Sequence, residues 1–329
     1  MIESLQVLNY KSLKDIKIPC KKINVFIGDP NGGKSNIIEA LSLMSQGVIT
    51  NELSKEIVRY KTLGDLFFDF NINKPIEIQT NEMSCKFKYA IRENGIPENN
   101  FELELRDHVS QQKSSTITIR HDGKIQSPGA PISTKLRIYQ YKRLDNFQIT
   151  YMPHLAPPFG ENLPSLLVAN EDYRNWVNEF FENKGFTLTM KPVENEINMS
   201  KIVNRSIYSY PYQTISETLQ RVVFYIMSMK SNNNSILLYD EPETNTFPFY
   251  TKFLAERIAL DETNQFFITT HNPYLLLNLI EKSTTDNLNV CLVKMNEYQT
   301  KVTPLNKDQI AEVLELNSDV FFNLDRIVE

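Results

Sequence analysis

The sequence predicts an α/β fold with a mostly parallel core sheet, and two observations carry this prediction. In the last third of the chain, strand-like and helix-like segments alternate: the apolar run ILLY at residues 236–239, a helical stripe that includes Phe253 and Ile258, and the strand-like QFFITT at 265–270. Near the start, the strand-like INVFIG at 23–28 runs directly into a glycine-rich loop and a helix. Strands separated by helices pair in parallel through crossover connections. We therefore expect both ends of the chain to build one core sheet.

A β-rich sheet is predicted at the N-terminus, and a β/α insertion is predicted in the middle of the chain. Apolar residues alternate in LQVLNY and LKDIKI, as they do in strands with one buried face. Within 61–200, four strand-like segments (KPIEIQT, CKFKYAI, FELELRD and STITIRHDG) precede a helical pattern at 163–181 and an extended stretch at 186–200. The expected domains are an N-terminal lobe at 1–60, this insertion at 61–200, and a C-terminal lobe at 201–329.

Composition restricts the class of partner. The 329 residues are 41% hydrophobic and 11% aromatic, which is ample for a folded core. A formal net charge of -5 provides no basic field, so composition does not support a nucleic-acid partner. The cysteines Cys20, Cys85 and Cys291 form no CxxC pair, as expected for reduced thiols. With no signal-peptide pattern and no apolar run near the roughly 18–20 residues that span a bilayer, we expect a soluble cytoplasmic protein without membrane contact.

The segment GDPNGGKS has the spacing G-x-x-x-x-G-K-[ST] of a phosphate-binding loop. In such a loop the glycines let backbone N–H groups face the phosphates, Lys34 reaches the β- and γ-phosphate oxygens, and the Ser35 hydroxyl binds Mg²⁺. The alternative is a glycine-rich turn without a ligand, but at average glycine usage a chance match in such a chain is about one in a hundred. The predicted nucleotide-binding residues are Gly28, Asp29, Pro30, Asn31, Gly32, Gly33, Lys34, Ser35 and Asn36.

Two acids and a histidine follow the predicted core strands. Asp240 and Glu241 come directly after ILLY, at the carboxyl end of a strand, where ligands bind in open α/β sheets. We predict that Asp240 holds the magnesium hydration shell and that Glu241 polarises the attacking water. Two such acids alone are more often an N-cap or a solvated turn, and a lone histidine is usually structural or at the surface. The phosphate loop favours the catalytic interpretation, in which His271 lies beside Asp240 and contacts the γ-phosphate.

These motifs resemble those of ABC-type ATPases of the SMC/RecF/OLD-like branch, a group often labelled AAA-type ATP-binding proteins. The resemblance covers LQVLNYKSLKDIKIPCKKINVFIGDPNGGKSNIIEAL, SILLYDEPETNTFP and FFITTHNPYLL. It implies a P-loop NTPase fold like an ABC or SMC head, ATP and Mg²⁺ as cofactors, and ATP hydrolysis. It further implies a Walker A motif at 28–35, a Walker B acid at Asp240, a catalytic base at Glu241, a switch histidine at His271, and a nucleotide contact from Lys11 in the NYKS segment.

One segment departs from the pattern of this family. Its members usually close each nucleotide across a dimer with a Ser-Gly signature, whereas the expected place, YQTISETLQRVVF at 212–224, contains Ser216 but no glycine. Glycine permits the closest backbone approach to a phosphate. An alternative is a T-x-x-E capping box formed by Thr214 and Glu217 at the start of a helix. The two interpretations are compatible, because a capped helix N-terminus can also face a phosphate. Ser216 is the candidate for a contact in trans.

Three functions remain open at this point. The first is an ATPase switch, in which ATP closes a homodimer or higher homo-oligomer and hydrolysis opens it. The resemblance implies a separate, nuclease-like effector for such a switch, as in a bacterial defence or toxin–antitoxin-like pair. The second is DNA recombination or repair, which would require a basic groove. The third is an ATP-bound scaffold that hydrolyses slowly, which the missing signature glycine motivates.

Overall fold

The computed structural model describes residues 1–45, 52–91, 97–109, 114–130, 132 and 134–327. Its strands are β1 (Ser4–Tyr10), β2 (Leu13–Pro19), β3 (Ile23–Ile27), β4 (Ile76–Thr80), β5 (Met83–Ile91), β6 (Pro97–Asp107), β7 (Ser114–Arg120), β8 (Ile125–Ser127), β9 (Leu136–Tyr139), β10 (Thr187–Lys191), β11 (Glu196–Val203), β12 (Ser206–Pro211), β13 (Ile236–Asp240), β14 (Gln265–Thr269), β15 (Leu288–Asn296) and β16 (Gln299–Pro304). Its α-helices are α1 (Lys34–Met44), α2 (Leu163–Ala169), α3 (Glu171–Glu182), α4 (Glu217–Lys230), α5 (Pro248–Ala259), α6 (Pro273–Lys282) and α7 (Lys307–Leu316).

The core sheet has the strand order β16-β15-β3-β14-β13-β9. The strands from β15 to β9 pair in parallel, and β16 pairs antiparallel to β15 at one edge. The mostly parallel core sheet predicted from the sequence is therefore confirmed. Because β14 lies between β3 and β13, the loops that follow these three strands emerge side by side at the same edge of the sheet.

The N-terminal strands belong to a second, antiparallel sheet in the order β2-β1-β4-β5-β6-β7-β8. β4 pairs directly with β1, with Val7 opposite Ile78. The strands predicted for the insertion therefore extend the N-terminal sheet, and β9 from the same stretch joins the core sheet, so residue 60 does not separate two sheets. Alternating apolar residues identify a strand with one buried face, but they do not specify its neighbour.

Two hydrophobic cores lie on opposite faces of the parallel sheet. Val25, Tyr239 and Ile268 face one core, which the helices α4, α5 and α6 cover. Their neighbours in sequence, Phe26 and Phe267 among them, face the other core, where α1 is enclosed between the two sheets. Successive strand residues point to opposite faces, so strands buried on both sides need the nearly continuous apolar runs that the sequence contains.

The stretch of chain from residue 163 to the start of α4 differs in detail from the prediction. The helical pattern at 163–181 forms two helices, because Asn170 is extended and its side chain accepts a hydrogen bond from the Tyr173 N–H at the start of α3. The strands β10, β11 and β12 then form a small antiparallel sheet. All six residues of β12 are exposed, and a short 3₁₀ turn at Tyr212–Thr214 connects this strand to α4.

The alternative interpretation of the start of α4 as a capping box is wrong. The helix begins at Glu217 with Ser216 as its N-cap residue, and no side chain of the described residues caps it. The Thr214 hydroxyl donates to the Pro211 carbonyl at 2.7 Å, and Glu217 pairs with Arg221 one helical turn later. The 3₁₀ turn consumes Thr214, which moves the start of the helix two residues beyond the position that the T-x-x-E pattern indicates.

The hairpin of β15 and β16 was not predicted, although it completes the core sheet beside β3. Its β15 half carries the apolar run VCLV at 290–293, which is buried throughout. Within the described ranges, every helix is too short or too polar to cross a bilayer.

Candidate nucleotide-binding site

The phosphate loop, residues 28–35, connects β3 to α1 and packs against the β15–β16 hairpin. Gly28 has φ 146° and Gly33 has φ 102°, both in the region that favours glycine. A Cβ atom at Gly28 would lie 2.0 Å from the carbonyl oxygen of Val293, and one at Gly33 would lie 2.1 Å from Thr300 Oγ1. The glycines are thus required by close packing against the hairpin as well as by the curvature of the loop.

The remaining residues of the loop divide into an exposed tip and a buried base. Asp29, Pro30 and Asn31 are exposed, whereas Gly32 is buried and its carbonyl accepts a hydrogen bond from Thr300 Oγ1 at 2.9 Å. The loop is therefore fixed at its base and exposed at its tip.

The Lys34 side chain curls into the loop. Its ammonium group donates to the carbonyl oxygens of Gly28 at 2.9 Å and Asp29 at 2.8 Å. Burial lowers the pKa of Lys34, while the nearby carboxylates of Glu241, Asp29 and Asp240 act in the opposite direction. The structure thus places one ammonium group at the loop carbonyls and near the acids at the end of β13, where a phosphate could accept its hydrogen bonds.

Ser35 and Asp240 meet across the sheet edge. The Ser35 hydroxyl donates to Asp240 Oδ1 at 3.0 Å, and the Thr269 hydroxyl at the end of β14 donates to the same oxygen. Burial is the main cause of the raised pKa of Asp240, which the two hydroxyl groups partly offset. A hydroxyl and a carboxylate are the hard oxygen ligands that Mg²⁺ prefers, so this pair fits the predicted metal site.

Glu241 and His271 are also brought together. Glu241 has the left-handed φ of 47°, and its N–H donates to Thr269 Oγ1 at 3.0 Å, which turns the side chain towards His271. Its Oε1 lies 3.2 Å from His271 Nε2, and this contact is the main cause of the lowered pKa of Glu241. The ring of Phe321, in the 3₁₀ helix at Asn317–Phe322, lies 6.3 Å from the His271 ring.

Lys11 and Asn36 lie beside the loop, where each is held by other side chains. The Lys11 ammonium pairs with the carboxylate of Glu39 on α1, to which the Tyr10 hydroxyl also donates. Asn36 Nδ2 donates to Ser12 Oγ at 2.8 Å. The nucleotide contacts predicted for Lys11 and Asn36 stay predictions, and in this structure both side chains connect the NYKS turn to α1.

Arg59 is a basic residue near the site that the sequence patterns did not indicate. Its guanidinium group pairs with the same Glu39 carboxylate. Burial acts to lower the pKa of Arg59, but the charge and hydrogen bond of Glu39, together with the charge of Asp240, raise it above its usual value. No sequence motif includes Arg59, because it belongs to a separate segment and is connected to α1 by its ion pair with Glu39.

Ser216 is the predicted residue that the structure does not bring to this edge through a direct contact. It is exposed, and among the described residues no hydrogen bond links it to the phosphate loop. Two residues further on, the Thr218 hydroxyl donates to the carbonyl oxygen of Asn245, in the loop that follows Glu241, at 3.4 Å. A role for Ser216 in trans stays a prediction.

Two family models match the chain. An "AAA ATPase domain" model matches residues 1–127, and a model described as "AAA domain, putative AbiEii toxin, Type IV TA system" matches residues 137–278. A DNA replication and repair protein RecF from Clostridium perfringens is 49% identical over 41 residues, which are 12% of this chain and 11% of RecF. The match thus spans about a tenth of the length of this relative.

Similar solved structures include SMC heads. An SMC head bound to the C-winged helix domain of ScpA superimposes with a TM-score of 0.52 at 18% identity, covering 94% of this chain and 99% of that one. An SMC head from Thermotoga maritima gives a TM-score of 0.42 at 14% identity, with 93% and 99% coverage. The first likeness shows a P-loop ATPase head fold. Together with the short RecF match, the two family models and this fold support an ABC/SMC/RecF-like AAA ATPase.

Proposed function

We propose that the chain binds ATP with Mg²⁺ and hydrolyses it. The observation that carries this proposal is the convergence of three groups at one edge of the sheet: the Ser35–Asp240 pair, the ammonium of Lys34, and the Glu241–His271 pair. The Ser35–Asp240 pair would hold the metal, and the Lys34 ammonium would bind the phosphates. The third supplies a carboxylate that is ionised at neutral pH, as an ordinary glutamate is, and that could orient the attacking water beside His271.

The test replaces Glu241 with glutamine, which keeps the shape of the side chain and removes the base. Phosphate release from Glu241→Gln should fall by about a hundredfold or more, which is a typical contribution of general base catalysis, while ATP binding is retained. Glu262→Gln, a substitution of an exposed acid, serves as the control and should leave turnover unchanged. Normal hydrolysis by Glu241→Gln would refute the assignment of the base.

We further propose that ATP closes a homodimer and that hydrolysis opens it. A separate, nuclease-like effector would respond to whether the dimer is closed or open, and the pair would act in bacterial anti-phage defence. The likeness to SMC heads and the family description that names a putative toxin of a type IV TA system support this proposal. Light scattering of Glu241→Gln with ATP and Mg²⁺ should double the mass relative to the nucleotide-free chain. A mass that stays constant at every protein concentration would refute the switch.

If wild-type turnover is very slow while ATP is retained, an ATP-bound scaffold is the better description.

A role in DNA recombination or repair is the second candidate, because a short segment of the chain matches a DNA replication and repair protein RecF. The net charge of -5 gives this role no support. It predicts DNA binding that weakens steeply with salt and ATP turnover that rises when DNA is added. Turnover that does not respond to DNA at low salt would exclude it.

A further inference from the structure

Two adjacent threonines at the end of β14 connect to two acids of the DEPE segment. Thr269 donates to Asp240, and its neighbour Thr270 donates to Oε1 of Glu243. The first bond belongs to the metal site described above. The second involves an acid to which neither the motifs nor the proposed chemistry gives a role, and it requires a separate explanation.

Glu243 is a buried acid with an incomplete set of partners. It is 5% exposed, and among the described residues its Oε2 atom has no hydrogen-bond partner. Burial raises the pKa of Glu243 to about 7, the charge of Glu241 adds to this effect, and the Thr270 hydroxyl and the N–H groups of Glu243 and His271 oppose it. On α4, burial is the main cause of the raised pKa of Tyr225, and the charge of Glu243 contributes to it. A buried carboxyl group with one unpaired oxygen costs stability, so its position calls for a functional explanation.

The Thr270 hydroxyl extends the connection to both sides of His271. It accepts the N–H of Asn272 at 2.9 Å, and the Asn272 side chain in turn accepts the Tyr274 N–H at 2.8 Å at the start of α6. His271 thus lies between Thr270 and Asn272, which are joined to each other, and Thr270 is in turn joined to Glu243. Glu241, in the same loop as Glu243, holds the His271 imidazole: its Oε1 lies 3.2 Å from His271 Nε2.

We propose that Glu243 is a positioning residue that fixes the backbone at His271 through Thr270, while Glu241 holds the imidazole. Two acids of one loop then position the histidine, Glu243 its backbone and Glu241 its side chain. Glu243 acts through Thr270 and His271 and touches no reacting atom. This inference rests on the proposed hydrolysis, and the first test below is independent of turnover.

The first test observes the histidine directly in the full chain without nucleotide. Selective ¹³C labelling gives signals for His108, His121, His154 and His271, and the His271 signal is identified by its loss in His271→Ala. Glu243→Ala and Thr270→Val should each shift the His271 signal and leave the other three in place. Glu243→Gln and Thr270→Ser, which keep the hydrogen bond, should restore it. An unshifted His271 signal in a folded Thr270→Val or Glu243→Ala protein would overturn the proposal.

The second test measures turnover and binding separately. Glu243→Ala should lower kcat by about tenfold to a hundredfold, since misplacing a reacting group by 1 Å can cost on the order of a hundredfold, with little change in ATP affinity. In a His271→Ala background the same substitution should change kcat by less than about twofold, because residues that act together are not additive. Additive losses would overturn the proposal. If the wild-type chain hydrolyses no ATP, the proposed function fails, and the histidine spectrum alone decides the role of Glu243.

Discussion

The phosphate loop and the segment before α4 are the two places where the sequence predicts contact with one nucleotide, and the structure holds them very differently. The loop is packed against the β15–β16 hairpin, and its functional side chains, Lys34 and Ser35, already have hydrogen-bond partners. Ser216 follows the fully exposed strand β12, and its side chain makes no capping bond.

The difference separates residues that a single chain holds in place, as in the phosphate loop, from residues that a single chain leaves exposed, as at Ser216. Groups that must bind phosphate with correct geometry gain from being preorganised by packing. A group that acts across a dimer can be fixed only by the second chain. The comparison therefore predicts large effects for substitutions in the loop and small effects for substitutions at Ser216 when the chain is studied alone.

The largest effect is expected for Gly28→Ala. The new Cβ would overlap the Val293 carbonyl oxygen at 2.0 Å, and the φ of 146° is unfavourable for alanine. The free energy of unfolding should fall by about 3 kcal/mol or more, measured by urea denaturation. Gly64→Ala is the matched control, because its Cβ would find its nearest neighbour at an ordinary 3.7 Å and should change stability by less than about 1 kcal/mol. Equal losses in the two variants would contradict the packing argument.

Lys34→Ala should come next, with a loss of ATP affinity of about a hundredfold, since it removes charged hydrogen bonds to phosphate worth about 3 kcal/mol. Calorimetric titration with ATP and Mg²⁺ measures this change. Lys252→Ala, in which an exposed lysine of α5 is removed, should bind ATP as the wild type does. If both variants bind equally, the loop is not the site.

Glu243→Gln should change how stability depends on pH. The pKa of Glu243 is raised from 4.5 to about 7, so the folded chain holds a proton that the unfolded chain releases, and the wild type loses stability as pH rises through this interval. The loss between pH 5 and pH 8 should amount to about 2–3 kcal/mol, and Glu243→Gln should lack it. Urea denaturation at the two pH values tests this difference. An identical pH dependence in both proteins would show that Glu243 does not titrate there.

Ser216→Ala should have the smallest effect. Because no side-chain bond caps α4, its stability should change by less than about 0.5 kcal/mol. Asn306→Ala makes the contrast, since Asn306 and Gln309 form a capping box at α7 whose loss should cost about 1 kcal/mol. Thermal unfolding compares the two. A large loss in Ser216→Ala would mean that the segment is organised within one chain after all.

The core sheet and its three site-bearing loops could be predicted from the sequence because local patterns specify them. The apolar runs, the glycine spacing and the position of Asp240 and His271 after strands all lie within short segments. Contacts between distant segments could not be predicted in this way. The placement of β4 beside β1, the hairpin that supports the loop, and the approach of Arg59 through Glu39 depend on the tertiary fold.

The start of α4 shows a different limit of sequence patterns. The residues of the T-x-x-E pattern were present, but a 3₁₀ turn used Thr214 before the helix began. Side chains that cap helices also stabilise tight turns, so composition alone could not decide between the two.

The structure of Glu241→Gln with ATP and Mg²⁺ would test the central claim most directly. We predict that the triphosphate lies in the loop at 28–35, with Mg²⁺ about 2.1 Å from Ser35 Oγ, and that the γ-phosphate faces residue 241 and His271. In the same structure, Ser216 should contact that phosphate only from a second chain. A nucleotide bound elsewhere, or a metal away from Ser35 and Asp240, would contradict the account.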